Sequence, residues 1–232
     1  MKTMFACFAL SLAAAPGAAY SQTETAQQEA PRPAPSTLTA PKGVSQSVDS
    51  RGFIHRWLVL EPVPVQGRLT ETAVQEALKI AALPDTGDAL PKGGDTVTVN
   101  GVTLRWHALE TSNYNLNLYH FAWSLSKPTS NVLFWVVTTV DSPREMANAR
   151  LAIGSNAASR WSFNGEPVIA LNDDRQSVID DGVSRRVTLR KGRNVIRAAV
   201  VNGGGATDFC ARFLDENDQP VLGLGVTLQP GP

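Results

Sequence analysis

The run Val132-Leu133-Phe134-Trp135-Val136-Val137 decides the fold class. Side chains alternate across a strand, so this run puts apolar groups on both faces. Only a strand covered on both sides tolerates that, and the stretch 132–140 is therefore predicted to be a central strand. Further strand-like text lies on either side. Asn100-Gly101 joins Thr96-Val97-Thr98-Val99 to Val102-Thr103-Leu104-Arg105-Trp106, a two-residue hairpin signal. Asn164-Gly165 does the same between Arg160-Trp161-Ser162-Phe163 and Glu166-Pro167-Val168-Ile169-Ala170. A turn at Arg190-Lys191-Gly192-Arg193 links a strand at 183–189 to one at 194–201. Strands are also expected at 53–60, 113–125, 207–214 and 220–228.

One helix interrupts the strands. Val74, Ala77, Leu78 and Ala81 recur at i, i+3, i+4 and i+7, Thr72 and Gln75 fit a capping box, and Pro84 follows as a stop. Short strands at roughly 8–12-residue spacing, with Gly and Asn turns between them, predict a mainly β antiparallel sandwich of jelly-roll type with one short N-terminal helix. The expected folded unit is 51–228, with a strand-helix-hairpin cap at 51–112 packed on a core at 113–228.

Two segments precede it. Residues 1–21 combine Lys2, an apolar stretch from Met4 to Ala15 and the small-residue site Ala19-Tyr20-Ser21, the pattern of a cleaved export signal. Its apolar part is too short for a membrane span. Residues 22–50 are rich in Gln, Ala and Pro, including Ala30-Pro31-Arg32-Pro33-Ala34-Pro35, and are expected to be a disordered tether. The expected location is periplasmic or extracellular.

Lys+Arg and Asp+Glu are both 21, which excludes the strongly basic balance of a typical nucleic-acid binder. The two cysteines, Cys7 and Cys210, cannot supply a disulfide framework or a thiolate zinc cluster. Gly-x-Ser-x-Gly, the P-loop, Gly-x-Gly-x-x-Gly and His-Glu-x-x-His are all missing, so no cofactor is implied. Asn172-Asp173-Asp174-Arg175 and Asp180-Asp181 bracket a loop at 171–182. Such oxygen-rich text reads first as a solvated loop, and secondarily as a calcium or sugar-polar site, without EF-hand spacing. Trp161 shares a strand face with Phe163 and sits beside the Asn164 turn, where a ring could stack on a sugar. The candidate ligand-binding set is Trp161, Asn164, Asp173, Asp174, Arg175, Asp180 and Asp181. Trp135 is assigned to the core because its strand is apolar throughout.

Residues 132–214 resemble the galactose-binding-like jelly-roll domain common in extracellular carbohydrate-active proteins. The resemblance rests on Ala149-Arg150-Leu151-Ala152-Ile153-Gly154-Ser155-Asn156, Trp161-Ser162-Phe163-Asn164-Gly165 and Val187-Thr188-Leu189-Arg190-Lys191-Gly192-Arg193-Asn194, followed by a strand from Asp208 to Phe213. Asn156 and Ala157 stand where many relatives carry acids. With Arg56-Trp57-Leu58-Val59-Leu60-Glu61-Pro62 at the front, the chain is similar to the non-catalytic module of bacterial proteins labelled acetylxylan esterase. That resemblance implies a secreted accessory module of xylan deacetylation, with a polysaccharide or a carbohydrate-active enzyme as partner. Two other readings stay open: an esterase built on Ser155, His120 and Asp181, and a protein–protein interaction module.

Overall fold

The computed structural model of the chain describes residues 38–84 and 89–228. The expected signal at 1–21 and the first part of the tether lie outside the described residues. In chain order, the strands are β1 Leu38–Thr39, β2 Ser45–Ser47, β3 Arg56–Leu60 and β4 Val63–Pro64. Helix α1, Glu71–Ile80, comes next, then β5 Thr96–Val99, β6 Val102–Thr111, β7 Leu116–Asn117 and helix α2, Leu118–Ser124. The rest is β8 Val132–Ser142, β9 Met146–Ser155, β10 Ala158–Phe163, β11 Glu166–Leu171, β12 Gly182–Val183, β13 Val187–Leu189, β14 Gly192–Asn202, β15 Asp208–Leu214 and β16 Gly225–Thr227.

All pairings are antiparallel. The large sheet runs β1-β6-β3-β8-β14-β10-β11, and β2, β4, β5 and β16 pair beside this path. The small sheet runs β12-β9-β15-β7, with β13 on β9. Aromatic rings lock the two sheets face to face. Trp57 and Trp161 of the large sheet meet Phe209 of the small one at centroid distances of 4.9 and 5.3 Å, and Phe163 meets Phe213 at 5.3 Å.

The large sheet is covered on its other face as well. Val74, Ala77 and Ala81 of α1 and its C-cap, with Val99, Leu104 and Trp106 of the β5–β6 hairpin, pack on Leu58, Leu133, Val137, Ala199 and Val201. This is why β8 is apolar throughout. Val132, Phe134, Val136 and Val140 face the sandwich interior, and Leu133 and Val137 face the cover.

Several sequence expectations need correction. The expected tether does not run to 50, because β1 pairs with β6 and β2 with β16. The cap and core do not divide at 112, because β3 and β6 belong to the same sheet as β8 and β14. The predicted 113–125 strand is β7 followed by α2. Asn117 caps that helix, its side chain accepting from the His120 N–H at 2.8 Å, and Leu118, Phe121 and Ala122 are buried at helical spacing. Helix α1 starts two residues earlier than the expected Thr72 cap implies. Its N-cap is Thr70 with no side-chain cap bond, and Gln75 donates to Glu71 Oε1 at 2.9 Å instead. The single strand expected at 183–189 is broken into β12 and β13, and since β13 pairs with β9, the Arg190–Arg193 turn carries the chain from the small sheet to the large one.

Candidate functional site

The ligand set expected from sequence does not converge. Trp161 is 1% exposed and its indole N–H donates to Ser159 Oγ at 3.0 Å, which corrects the expectation of a surface ring. Asn164 sits at the tight turn with φ 50°. Its carboxamide donates to Asn194 Oδ1 at 3.0 Å and accepts from the Val195 N–H at 2.8 Å, so it serves the turn. The 171–182 loop leaves from the opposite end of the β10–β11 pair, where Leu171 lies opposite Ser159. That end is ~17 Å from Asn164 at the usual strand rise. Within the loop, Arg175 pairs with Asp181, and Asp180 grips Arg212 of β15. The bond from Asp180 raises the Arg212 pKa above its ordinary value, which partial burial opposes. Asp173 and Asp174 are exposed. Among the described residues no group of three or more His, Cys, Asp or Glu is placed to hold a metal ion.

The esterase trio is not assembled either. Ser155 is buried and its hydroxyl donates to the Ala157 carbonyl at 3.0 Å. His120 lies on α2 against Tyr119 and Trp123, and Asp181 is held by Arg175. His55 and His107 are tied to Asp49 and Glu61 at 3.2 and 3.3 Å.

What the fold does build is a groove on the outer face of the large sheet, beside α1. Register makes its floor. Arg160 lies opposite Ala199, which lies opposite Trp135, and Ser162 lies opposite Arg197, which lies opposite Val137. Small Ala199 and Ser162 between larger neighbours sink a trough into the sheet. One half, about 520 Å³, runs between Glu71, Gln75 and Leu78 of α1 and Pro167, Val168 and Ala170 of β11, with Trp135, Arg160 and Arg197 on the floor. The other half, about 540 Å³, is lined by Leu90, Asn164, Gly165, Arg190, Arg193 and Val195, and shares Ser162 and Arg197 with the first.

A polar network fixes the first half. Arg160 donates to Glu71 Oε2 at 2.6 Å, Asn172 Oδ1 at 2.7 Å and the Leu171 carbonyl at 2.6 Å. Asn172 also donates to Glu71 Oε2 at 2.9 Å. The bonds from Gln75 and Asn172, with the Arg160 charge, hold the Glu71 carboxyl below the usual range. The half-buried Trp135 is oriented by its indole N–H, which donates to the Ala81 carbonyl at 2.8 Å. Sequence reading missed this site because Trp135 was judged by the hydropathy of its own strand. The missed signal was the alternation Arg193, Val195, Arg197, which puts two cations on the outer face of a strand otherwise apolar there.

No family model and no curated protein matches the chain. Among solved structures, the PA14 sugar-binding domain from an RTX adhesin aligns with a TM-score of 0.43 at 14% identity, covering 76% of this chain and 99% of that one. The PA14 domain of the MpAFP antifreeze protein aligns with a TM-score of 0.41 at 13% identity, over 79% of this chain and 90% of that one. A β-glucosidase from Kluyveromyces marxianus in complex with glucose aligns with a TM-score of 0.35 at 14% identity, and the match spans 17% of that enzyme. Among the described residues no helix is long and apolar enough to cross a membrane.

Proposed function

We propose that the chain is a glycan-binding module and that the outer-face groove is its binding site. The observation that carries this reading is Trp135, fixed on the groove floor between hydrogen-bonding side chains: Gln75 and Glu71 on one wall, Arg160 and Arg197 beside it. An indole offers a flat apolar face to a sugar ring, and flanking amides and guanidinia bond its hydroxyls. Such sites bind single sugars weakly, because each hydroxyl gives up water for its new bond, and gain strength from several sugars along a groove. The resemblance to galactose-binding-like domains and to the non-catalytic module of acetylxylan esterase-labelled proteins makes xylan the first polymer to test. Export to the periplasm or the medium, inferred from residues 1–21, would put the module where such polymers are met.

The test is retention of the protein on insoluble xylan, acetylated xylan and cellulose, with released acetate assayed in the same samples. Retention without acetate is the expected result. Ala170→Arg, which fills the groove from an exposed position, abolishes retention, and Gln75→Ala weakens it, both without loss of folded structure. Acetate release by pure protein, or retention untouched by Ala170→Arg, overturns the reading.

A further inference from the structure

Six of the arginines near the two sheets are engaged by acids: Arg56, Arg150, Arg160, Arg175, Arg186 and Arg212 each lie within ion-pair distance of an Asp or Glu. The three that line the far half of the groove are among those that are not. Among the described residues the side chains of Arg190, Arg193 and Arg197 make no hydrogen bond or ion pair, and Arg197 Nε is buried without a partner there. Two neighbouring acids are turned to other work. Asp141, opposite Arg193 in the ladder, accepts from Thr227 Oγ1 at 2.6 Å. Asp95, which lines an adjoining cavity with Arg197, accepts from the Lys92 N–H at 2.8 Å.

A guanidinium fork is built to meet a planar oxyanion with two parallel bonds, and the exposed Arg193 lines the groove with such a fork. Arg193 and Arg197 share one face of an unbroken strand, so their backbone positions are ~13 Å apart. Cations placed at intervals along the groove suit a chain that carries a charge at intervals. The charge is also local: the chain as a whole is balanced at 21 cations and 21 anions.

We propose that the Arg190–Arg193–Arg197 end of the groove binds the carboxylates of a uronate-bearing polysaccharide, with the Trp135 end stacking on its sugar rings. This rests on the glycan-binding reading and names the substrate class for it.

The experiment compares the binding of the protein to polygalacturonate, neutral xylan, dextran sulfate and duplex DNA by titration calorimetry, at several NaCl concentrations. Polygalacturonate is expected to bind most tightly, and to weaken as salt screens the charges. The exposed single variant Arg193→Gln and the pair Arg193→Gln/Arg197→Gln should each cut polygalacturonate affinity by about tenfold or more, the loss expected for a charge-assisted bond. Arg193→Gln alone should leave neutral xylan binding nearly intact, and Arg68→Gln, an exposed cation outside the groove, should change neither. Neutral xylan bound as tightly as polygalacturonate, with no effect of Arg193→Gln, sinks the uronate assignment and leaves the glycan reading standing. Dextran sulfate or DNA bound as well as polygalacturonate replaces carboxylate recognition with general polyanion attraction. Binding of none of the sugars overturns both.

Discussion

Trp161 stands at the centre of the sandwich, edge-on to Trp57 at 6.1 Å and to Phe209 at 5.3 Å. Trp161→Ala is expected to cost about 3–5 kcal/mol, as large aromatic truncations in packed cores do, and urea unfolding would measure it. A loss below about 1 kcal/mol would mean that the ring is not the keystone its burial implies. Gly154 makes a second residue-scale case. A Cβ there would lie 2.3 Å from the Val178 carbonyl and 3.1 Å from Cys210 Sγ, so only glycine lets the 171–182 loop lie against β9. Burial pushes the Cys210 thiol up to about 11. Alkylation of the folded protein should therefore be slow near neutral pH, and Gly154→Ala should speed it by lifting the loop. Equal rates in both proteins would refute that link. The two tryptophans show what sequence alone conveys. Strand alternation correctly put Trp161 and Phe163 on one face, but which face meets the second sheet is a tertiary fact. Trp135 was assigned to the core by the apolar character of its neighbours, yet α1 stops short of covering it.

At the scale of elements, hairpins were the most legible. Asn100-Gly101 and Asn164-Gly165 have positive φ at both positions, which Asn and Gly adopt at little cost and which strand twist favours. Helix α2 was not legible, because Tyr119, Phe121 and Trp123 have the bulk and shape that favour strands, and the Asn117 cap decides otherwise. This helix is tied to the large sheet by charge. Just beyond its end, Lys127 reaches Glu61 Oε2 at 3.2 Å, and His107 of β6 lies 3.3 Å from Oε1. Burial pushes the Glu61 carboxyl up, but the bonds from His107 and Lys127 outweigh it and hold the pKa below 4.5. The folded state therefore holds the Glu61 proton less tightly than the unfolded chain. The resulting stabilisation is fully present above about pH 4.5 and is lost as pH falls through the lowered value. Urea unfolding of Glu61→Gln should give a shallower fall in stability below about pH 4.5 than the parent shows. Parallel curves would place the acid sensitivity in other carboxylates.

For the whole molecule, the decisive feature is that β8 and β14 are shared by two cores. Val136 faces the sandwich interior, where Phe134 and Phe209 lie, and its neighbour Val137 faces the cover made by α1 and the β5–β6 hairpin. The cover is therefore not a detachable cap. Its own strand β6 pairs with β3, which pairs with β8. If one strand supports both cores, losing either exposes apolar surface on the sheet that holds the other, and the molecule should unfold as one unit. Val136→Ala and Val137→Ala each remove two buried methyl groups and should each cost about 2 kcal/mol, lowering the Tm by about 4–8 °C. The sharper expectation is that both variants shift a single transition seen alike by far-UV circular dichroism and tryptophan fluorescence. A cover with independent stability would behave differently: Val137→Ala would split off an early transition, with α1 amides exchanging before those of β8. The groove would then be a hinge between two bodies. A single transition means that its floor and its α1 wall hold their relation until the fold itself is lost, which is what a site of fixed spacing between Trp135, Arg197 and Arg193 requires.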